Sequence, residues 1–182
     1  MNGIVNALPD IPRLYTAISE WLGCLVYVCV LYRRVSLQRT ILVVALGLPV
    51  LIGLQYLAGM MSLPFWIFGM CLAAAGMFAI VMLSIGTGKR EGLYITARAF
   101  ILGELIASLH WQLVTFARHA LGLTPTWWQS HITLVVTYGL CFFIAYTVER
   151  GNFSQTQPTV PTMSAAVMTL ATTLITFAMS NL

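Results

Sequence analysis

Glu104 is the side chain best placed to do chemistry, because it lies in the middle of an apolar stretch, AFILGELIASLHWQL. An ionisable group at membrane depth costs about 2.5–3.5 kcal/mol on insertion scales, so such groups normally face a bundle interior or a cavity. On a helix, at about 100° per residue, Ser108 and Trp111 fall within about 40° of Glu104, and Gln112 within about 80°. These four residues predict a polar and aromatic stripe that lines a ligand-sensing cavity.

The same stripe has a second interpretation, which is purely structural. A Glu104 that is protonated, or hydrogen-bonded to a Ser, Thr or Gln of a neighbouring helix, would hold helices together, as interhelical polar groups often do. The sequence leaves both interpretations open. Glu20, near the start of the first apolar stretch in SEWLGCL, is a further ligand-sensing candidate at a position where interfacial solvation lowers the cost of its charge.

Other chemistries find less support in the residue pattern. His110, His119 and His131 are not spaced i,i+3 or i,i+4, and no two Cys form a CxxC motif, so neither a metal site nor a cofactor is predicted. A membrane peptidase would need a Cys activated by a His, and only a tertiary pairing such as Cys141 with His110 would supply one. No nucleotide-binding or hydrolase motif occurs, so no enzyme activity is predicted for this chain.

The composition is that of a membrane protein. Of 182 residues, 59% are hydrophobic and 8% charged, with a mean hydropathy of +0.89, whereas an ordinary soluble domain has about 25% charged residues. This excludes a soluble globular domain and predicts an all-α polytopic membrane bundle whose partner is the lipid bilayer. The Lys and Arg residues are scattered between apolar blocks and form no continuous basic face, so nucleic acid is not an expected partner.

Six apolar segments are long enough, or nearly long enough, to cross about 30 Å of hydrocarbon as helices. They form a single transmembrane domain over residues 1–182, with spans expected at about 14–32, 41–61, 63–85, 93–117, 132–148 and 163–182. Small residues at three- and four-residue spacing in the third and fourth spans predict close helix contacts; they are Gly69, Ala73, Gly76, Gly103 and Ala107.

The charges of the loops predict the orientation of the bundle. Six Lys or Arg residues lie in the loops after the first, third and fifth spans, against two, Arg13 and Arg118, on the other side. Cytoplasmic loops carry an excess of Lys and Arg. The N-terminus is therefore expected outside, and Leu182, after six spans, is also expected outside.

The fourth span resembles part of a known family. Residues 97–113, ARAFILGELIASLHWQL, resemble the ARAF-xLxExxASLxWQL stretch in the membrane region of bacterial sensor histidine kinases that end in a GHKL-type ATPase domain. Residues 14–27, LYTAISEWLGCLVY, resemble the family's first span, and residues 177–182, FAMSNL, resemble the end of its sixth. The informative part of the resemblance is the set of Glu104, Ser108, Trp111 and Gln112.

The resemblance implies an N-terminal sensor module of a two-component signal transduction system. It implies six spans, a seventh span expected next, a cytoplasmic phosphoacceptor helix, an ATP-binding domain and a response regulator as partner, in a bacterial cell membrane. We expect a homodimer that relays an extracellular or membrane-embedded signal. The chain stops before any phosphoacceptor His or ATP-binding motif, so kinase activity would belong to a longer parent, and a free-standing relative stays open.

A small multipass transporter or permease subunit is the alternative function. In that case Glu104 would handle a proton or a cationic substrate, and residues Thr169 to Thr176 of the last span would line the path.

Overall fold

The computed structural model describes residues 11–31, 35–61, 63–120, 122 and 126–155. These residues form five helices, α1 (Arg13–Val30), α2 (Leu37–Met60), α3 (Leu63–Ile85), α4 (Lys89–His119) and α5 (Trp127–Gln155). By length and composition, each helix can cross a membrane. The predicted all-helical class is confirmed, and the five helices lie where the first five spans were predicted. The predicted sixth span, residues 163–182, lies outside the described residues.

The two longest helices extend beyond the apolar segments that predicted them. α4 has 31 residues and α5 has 29, so each is about 45 Å long at about 1.5 Å per residue. The hydrocarbon core is only about 30 Å thick. Hydropathy identifies only the part of a helix that is apolar enough for the hydrocarbon core. The helix itself is longer, because backbone hydrogen bonds continue into polar residues such as Lys89 and Arg90 at the start of α4.

α1 is the central helix of the bundle, because it contacts each of the other four. Half of its apolar window is buried, compared with 22% for α2 and 17% for α5. α2 and α5 therefore present most of their apolar surface to the outside of the bundle, where lipid is expected; the exposed side chains include Leu42, Leu46, Val135 and Phe143.

Two glycines bring the backbones of α1 and α4 into contact. A Cβ atom on Gly23 would lie 2.6 Å from the carbonyl oxygen of Ala99, and a Cβ atom on Gly103 would lie 2.9 Å from the Cα of Glu20. The hydroxyl of Ser19 donates a 2.6 Å hydrogen bond to the carbonyl oxygen of Gly103. The predicted packing role of Gly103 is confirmed, and the same contact presses Glu20 of α1 against α4.

Gly23→Ala is expected to destabilise the protein, because the new methyl group would meet a backbone oxygen that cannot move aside as a side chain does. Overpacking of this kind costs about 1–3 kcal/mol. The melting temperature of the purified protein in detergent measures the effect. Gly53→Ala is the matched control, since a Cβ atom there meets nothing within 4 Å; equal melting temperatures for the two variants would contradict the close α1–α4 contact.

Candidate functional site

The two acidic residues predicted from the sequence meet in the structure. Glu20 of α1 is fully buried, and Glu104 of α4 is 7% exposed. The α1–α4 contact packs Gly103, the residue before Glu104, against the backbone of Glu20, so the two acidic residues lie at the same crossing. Gln55 of α2 completes the group, because its Nε2 donates a 2.8 Å hydrogen bond to Oε1 of Glu20. We call Glu20, Gln55 and Glu104 the carboxyl cluster.

The carboxyl cluster contains more hydrogen-bond acceptors than donors. Oε2 of Glu20, Oε1 of Gln55 and Oε1 of Glu104 are all buried, and none of them has a hydrogen-bond donor within the described part of the chain. A buried polar atom left unpaired costs about 1–3 kcal/mol. Native proteins keep few such atoms. A protonated carboxyl group donates a hydrogen bond, so protonation of Glu20 or Glu104 would supply a donor that the ionised groups lack.

The other predicted site residues are less buried than Glu104. Ser108 and Trp111 are half-buried, and Gln112 is exposed. The buried face of α4 continues from Glu104 through His110 and Val114, because α1 and α5 pack on that side. The structure thus brings Glu20 and Glu104 together and leaves Gln112 outside the core.

His110 is buried in the part of α4 that faces α1 and α5. Its ring makes edge-to-face contacts with Tyr15 and Tyr138, with ring centroids 5.9 Å and 5.7 Å away. The hydroxyl of Tyr138 donates a 3.0 Å hydrogen bond to the backbone carbonyl of Tyr15. These contacts join α1, α4 and α5, and they give His110 a packing role that the helical-wheel argument did not predict.

A second polar group joins α4 to α5, and the sequence analysis missed it. The guanidinium of Arg98 lies 2.6 Å from Oε1 of Glu149, and it also donates hydrogen bonds to the hydroxyls of Tyr27 at 3.2 Å and Tyr94 at 2.9 Å. We call these four residues the arginine cluster. The available signal was the position of Arg98 inside a predicted span, where a charge normally needs a partner.

Comparisons of the chain with protein-family models, curated proteins and solved structures give no match. Within the described ranges, no three His, Cys, Asp or Glu side chains form a group that could hold a metal ion. The fold and the site therefore define a class, a helical protein suited to crossing a membrane several times, with a buried cluster of two carboxyl groups and one amide.

Glu149→Gln is expected to lower the melting temperature, because it leaves the partly buried charge of Arg98 without its carboxylate. Loss of such a charged hydrogen bond costs about 1–3 kcal/mol. In the double variant Arg98→Gln/Glu149→Gln the total loss should be smaller than the sum of the two single losses, since the pair is removed as a unit. Additive losses in this double-mutant cycle, measured by thermal unfolding in detergent, would show that the pair is not coupled.

Proposed function

We propose that the protein is the transmembrane signal-sensing module of a two-component sensor histidine kinase, and that the carboxyl cluster responds to an extracellular or membrane-embedded signal. The observation that carries the proposal is the burial of three polar side chains, Glu20 of α1, Gln55 of α2 and Glu104 of α4, each with an oxygen atom that lacks a hydrogen-bond partner among the described residues. A species that engages these oxygens changes the packing energy of α1, α2 and α4. Packed helices respond to a change in packing energy by shifting between discrete arrangements.

α4 provides a route by which such a shift reaches the other side of the bundle. Glu104 and Arg98 are six residues apart on α4, or about 9 Å along the helix axis, and Arg98 binds Glu149 of α5. A displacement of α4 against α1 is therefore expected to move α5. Both helices are longer than the hydrocarbon is thick, so their motion extends to the membrane surface.

The resemblance of residues 97–113 to the membrane region of the GHKL-type kinases supports the same function, because Glu104 belongs both to the resemblance and to the carboxyl cluster. The proposal includes an outside N-terminus, a sixth span at residues 163–182, a homodimer and a bacterial cell membrane. In this orientation the carboxyl cluster lies in the outer half of the bundle, and the arginine cluster lies toward the cytoplasm.

The first test of the kinase assignment is the coding sequence beyond Leu182 in the source DNA. We expect the reading frame to continue through a seventh apolar span into a helix with a phosphoacceptor His and an ATP-binding domain. A stop codon directly after Leu182 would contradict the assignment.

The second test measures signalling by a reporter gene in that full-length parent. Glu104→Gln keeps the size of the side chain but removes the ionisable carboxyl group. We expect it to shift the half-maximal signal concentration about tenfold, the equivalent of about 1.4 kcal/mol, and Trp111→Ala to act in the same direction. Glu91→Gln, on the same helix but remote from the cluster, is the control; unchanged signalling by Glu104→Gln and Trp111→Ala at equal expression would reject the sensing site.

A small transporter or permease subunit is the second candidate, and the carboxyl cluster also favours it, because carriers of protons and cations place carboxyl groups inside their bundles. The proposed path along Thr169–Thr176 lies outside the described residues. Proteoliposomes that hold a pH-sensitive dye separate the two candidates. Proton flux through the wild-type protein that disappears in Glu104→Ala would favour the carrier. A proton leak no greater than that of protein-free vesicles would favour the sensor.

A further inference from the structure

We propose that residues 163–182, the predicted sixth span, pack as a helix against a stripe of α1 that the other described helices leave uncovered, between α5 and α2. This inference goes beyond the proposed function, because a sensor and a carrier would both use the contact. It rests on that proposal only for the existence of the sixth span. The surface to be covered is formed by residues of α1 and α5 that the structure describes.

The helices packed around α1 form an open arc. In the described ranges, α2 contacts α3, α3 contacts α4, and α4 contacts α5, and all four of these helices contact α1. α2 and α5, the two ends of this series, make no contact with each other in those ranges. The arc therefore has a gap between α5 and α2, and α1 forms the floor of that gap.

The side of α1 that faces the gap carries apolar side chains that are exposed or half-buried. Their spacing of three and four residues places them on one face of a helix. We call this face the open stripe; it consists of Leu14, Ile18, Leu22, Leu25 and Cys29. The α1 surface on either side of the open stripe is occupied. On one side, Trp21 donates a 2.8 Å hydrogen bond to the carbonyl oxygen of Val44 in α2, and on the other side Tyr15 contacts Tyr138 of α5.

A groove of about 300 Å³ runs along the second half of the open stripe, with walls formed by α1 and α5. It is lined by Leu22, Leu25, Val26 and Cys29 of α1 and by Phe142 and Tyr146 of α5. Van der Waals packing drives the association of helices in a membrane. A further helix gains more of this contact in a groove between two helices than on the convex face of one helix.

The chain leaves α5 at the same end of the bundle as the groove. Tyr15 of α1 meets Tyr138 of α5 toward one end of the two helices. Toward the other end, Arg98 hydrogen-bonds both Tyr27 of α1 and Glu149 of α5. The two helices therefore run in the same direction, and the last residues of α5 lie on the side where α1 ends.

The length of the connecting chain keeps residues 163–182 close to α5. Seven residues, 156–162, separate them from the end of that helix, and a fully extended segment of this length reaches at most about 25 Å. Packed helices lie about 8–10 Å apart, so the gap beside α5 is within reach. A sixth span that starts there would run antiparallel to α1 and α5.

The sequence of residues 163–182 suits contact with large side chains on α1. As a helix, at about 100° per residue, this segment would place its small side chains within a face about 120° wide. We call this the small-residue face; it consists of Ala165, Ala166, Thr169, Thr172, Thr173, Thr176 and Ser180. Val167 and Leu174 would lie on the opposite side. Small side chains allow close approach of helices, so the small-residue face fits against Leu22 and Leu25.

Disulfide formation in the full chain tests the proposal, because Cys29 supplies a thiol in the groove. Ala165→Cys and Thr169→Cys put a second thiol on successive turns of the small-residue face. Val167→Cys, between them in depth but on the opposite side, is the matched control. A disulfide requires Cα atoms within about 7 Å, so mild oxidation in membranes should link Cys29 to one of the first two cysteines about tenfold more than to the control.

Peptide mass spectrometry identifies the linked pair, and a non-reducing gel shows whether one or two chains are joined. A link within one chain through Ala165→Cys or Thr169→Cys would support the proposal. Equal linkage in all three variants, or none in the first two, would overturn it. A link between two chains through Cys29 would assign the groove to a second copy of the protein and would also overturn it.

A second measurement follows the access of a membrane-permeant maleimide to Cys29. Thr169→Trp places a bulky ring on the small-residue face, whereas Val167→Trp places the same ring on the opposite side. Because bulk at a packed contact forces the helices apart, we expect Thr169→Trp to raise the labelling rate of Cys29 about fivefold and Val167→Trp to leave it unchanged. Cys71 of α3, also exposed, should label equally in all three proteins and reports on folding. Equal labelling of Cys29 in the three proteins would overturn the proposal.

Failure of this contact and failure of the proposed function give different results. The proposed topology predicts that a membrane-impermeant maleimide labels Leu182→Cys in intact cells. Such labelling without a disulfide at Cys29 would retain the sixth span and reject its docking site, whereas labelling only after lysis would reject the span and the sensor topology together. A disulfide at Cys29 combined with unchanged signalling by Glu104→Gln would retain the contact and reject the sensory role of the carboxyl cluster.

Discussion

The contact between the backbones of α1 and α4 is the constraint on which the rest of the structure depends. Gly23 and Gly103 allow an approach that any side chain would prevent, and the hydroxyl of Ser19 closes it with a hydrogen bond to the carbonyl of Gly103. Close approach of this kind maximises van der Waals contact, which drives helix association where the surrounding lipid is as apolar as the helices. The approach also leaves no room for Glu20 and Glu104 to avoid each other.

The two polar clusters of the bundle differ in how their charges are balanced. In the arginine cluster, Glu149 meets a guanidinium that also binds two tyrosine hydroxyls, so the charges compensate each other and the contact serves to hold α4 and α5 together. In the carboxyl cluster, two acids meet one amide, and no basic side chain within the described ranges pairs with them. An unbalanced buried group is expensive to maintain. Its presence at a crossing where two backbones touch is therefore the strongest structural argument for function.

α4 connects these two regions, and its sequence has to serve both. The helix carries Arg98 and Glu104 on a rigid segment about two turns long. At one end of this segment Gly103 allows close contact with α1, and at the other end Arg98 forms an ion pair with Glu149 of α5. Under the proposed function, a change at Glu104 would act on the α1 side of this segment, and the ion pair of Arg98 with Glu149 would carry it to α5. A sensor and a carrier would both use this element. They differ in whether the shift is passed on to a protein partner or opens a path through the bundle.

The sequence by itself determined the all-helical class, five helices apolar enough to cross a membrane and the buried position of Glu104, because each depends on a local property. An apolar run of about 20 residues forms a spanning helix whatever surrounds it, and a carboxyl group in such a run must turn inward. The orientation of the bundle and its sixth span remain predictions from loop charges and hydropathy.

Only the tertiary structure decided which side chains Glu104 would meet. Helical periodicity gives directions around one axis, but the rotation of that axis toward its neighbours comes from packing. For this reason the partner of Glu20 on α2, 35 residues away, and the partner of Arg98, 51 residues away, could not be found along the chain, and Gln112 lies outside the core although it is close to Glu104 on the helical wheel.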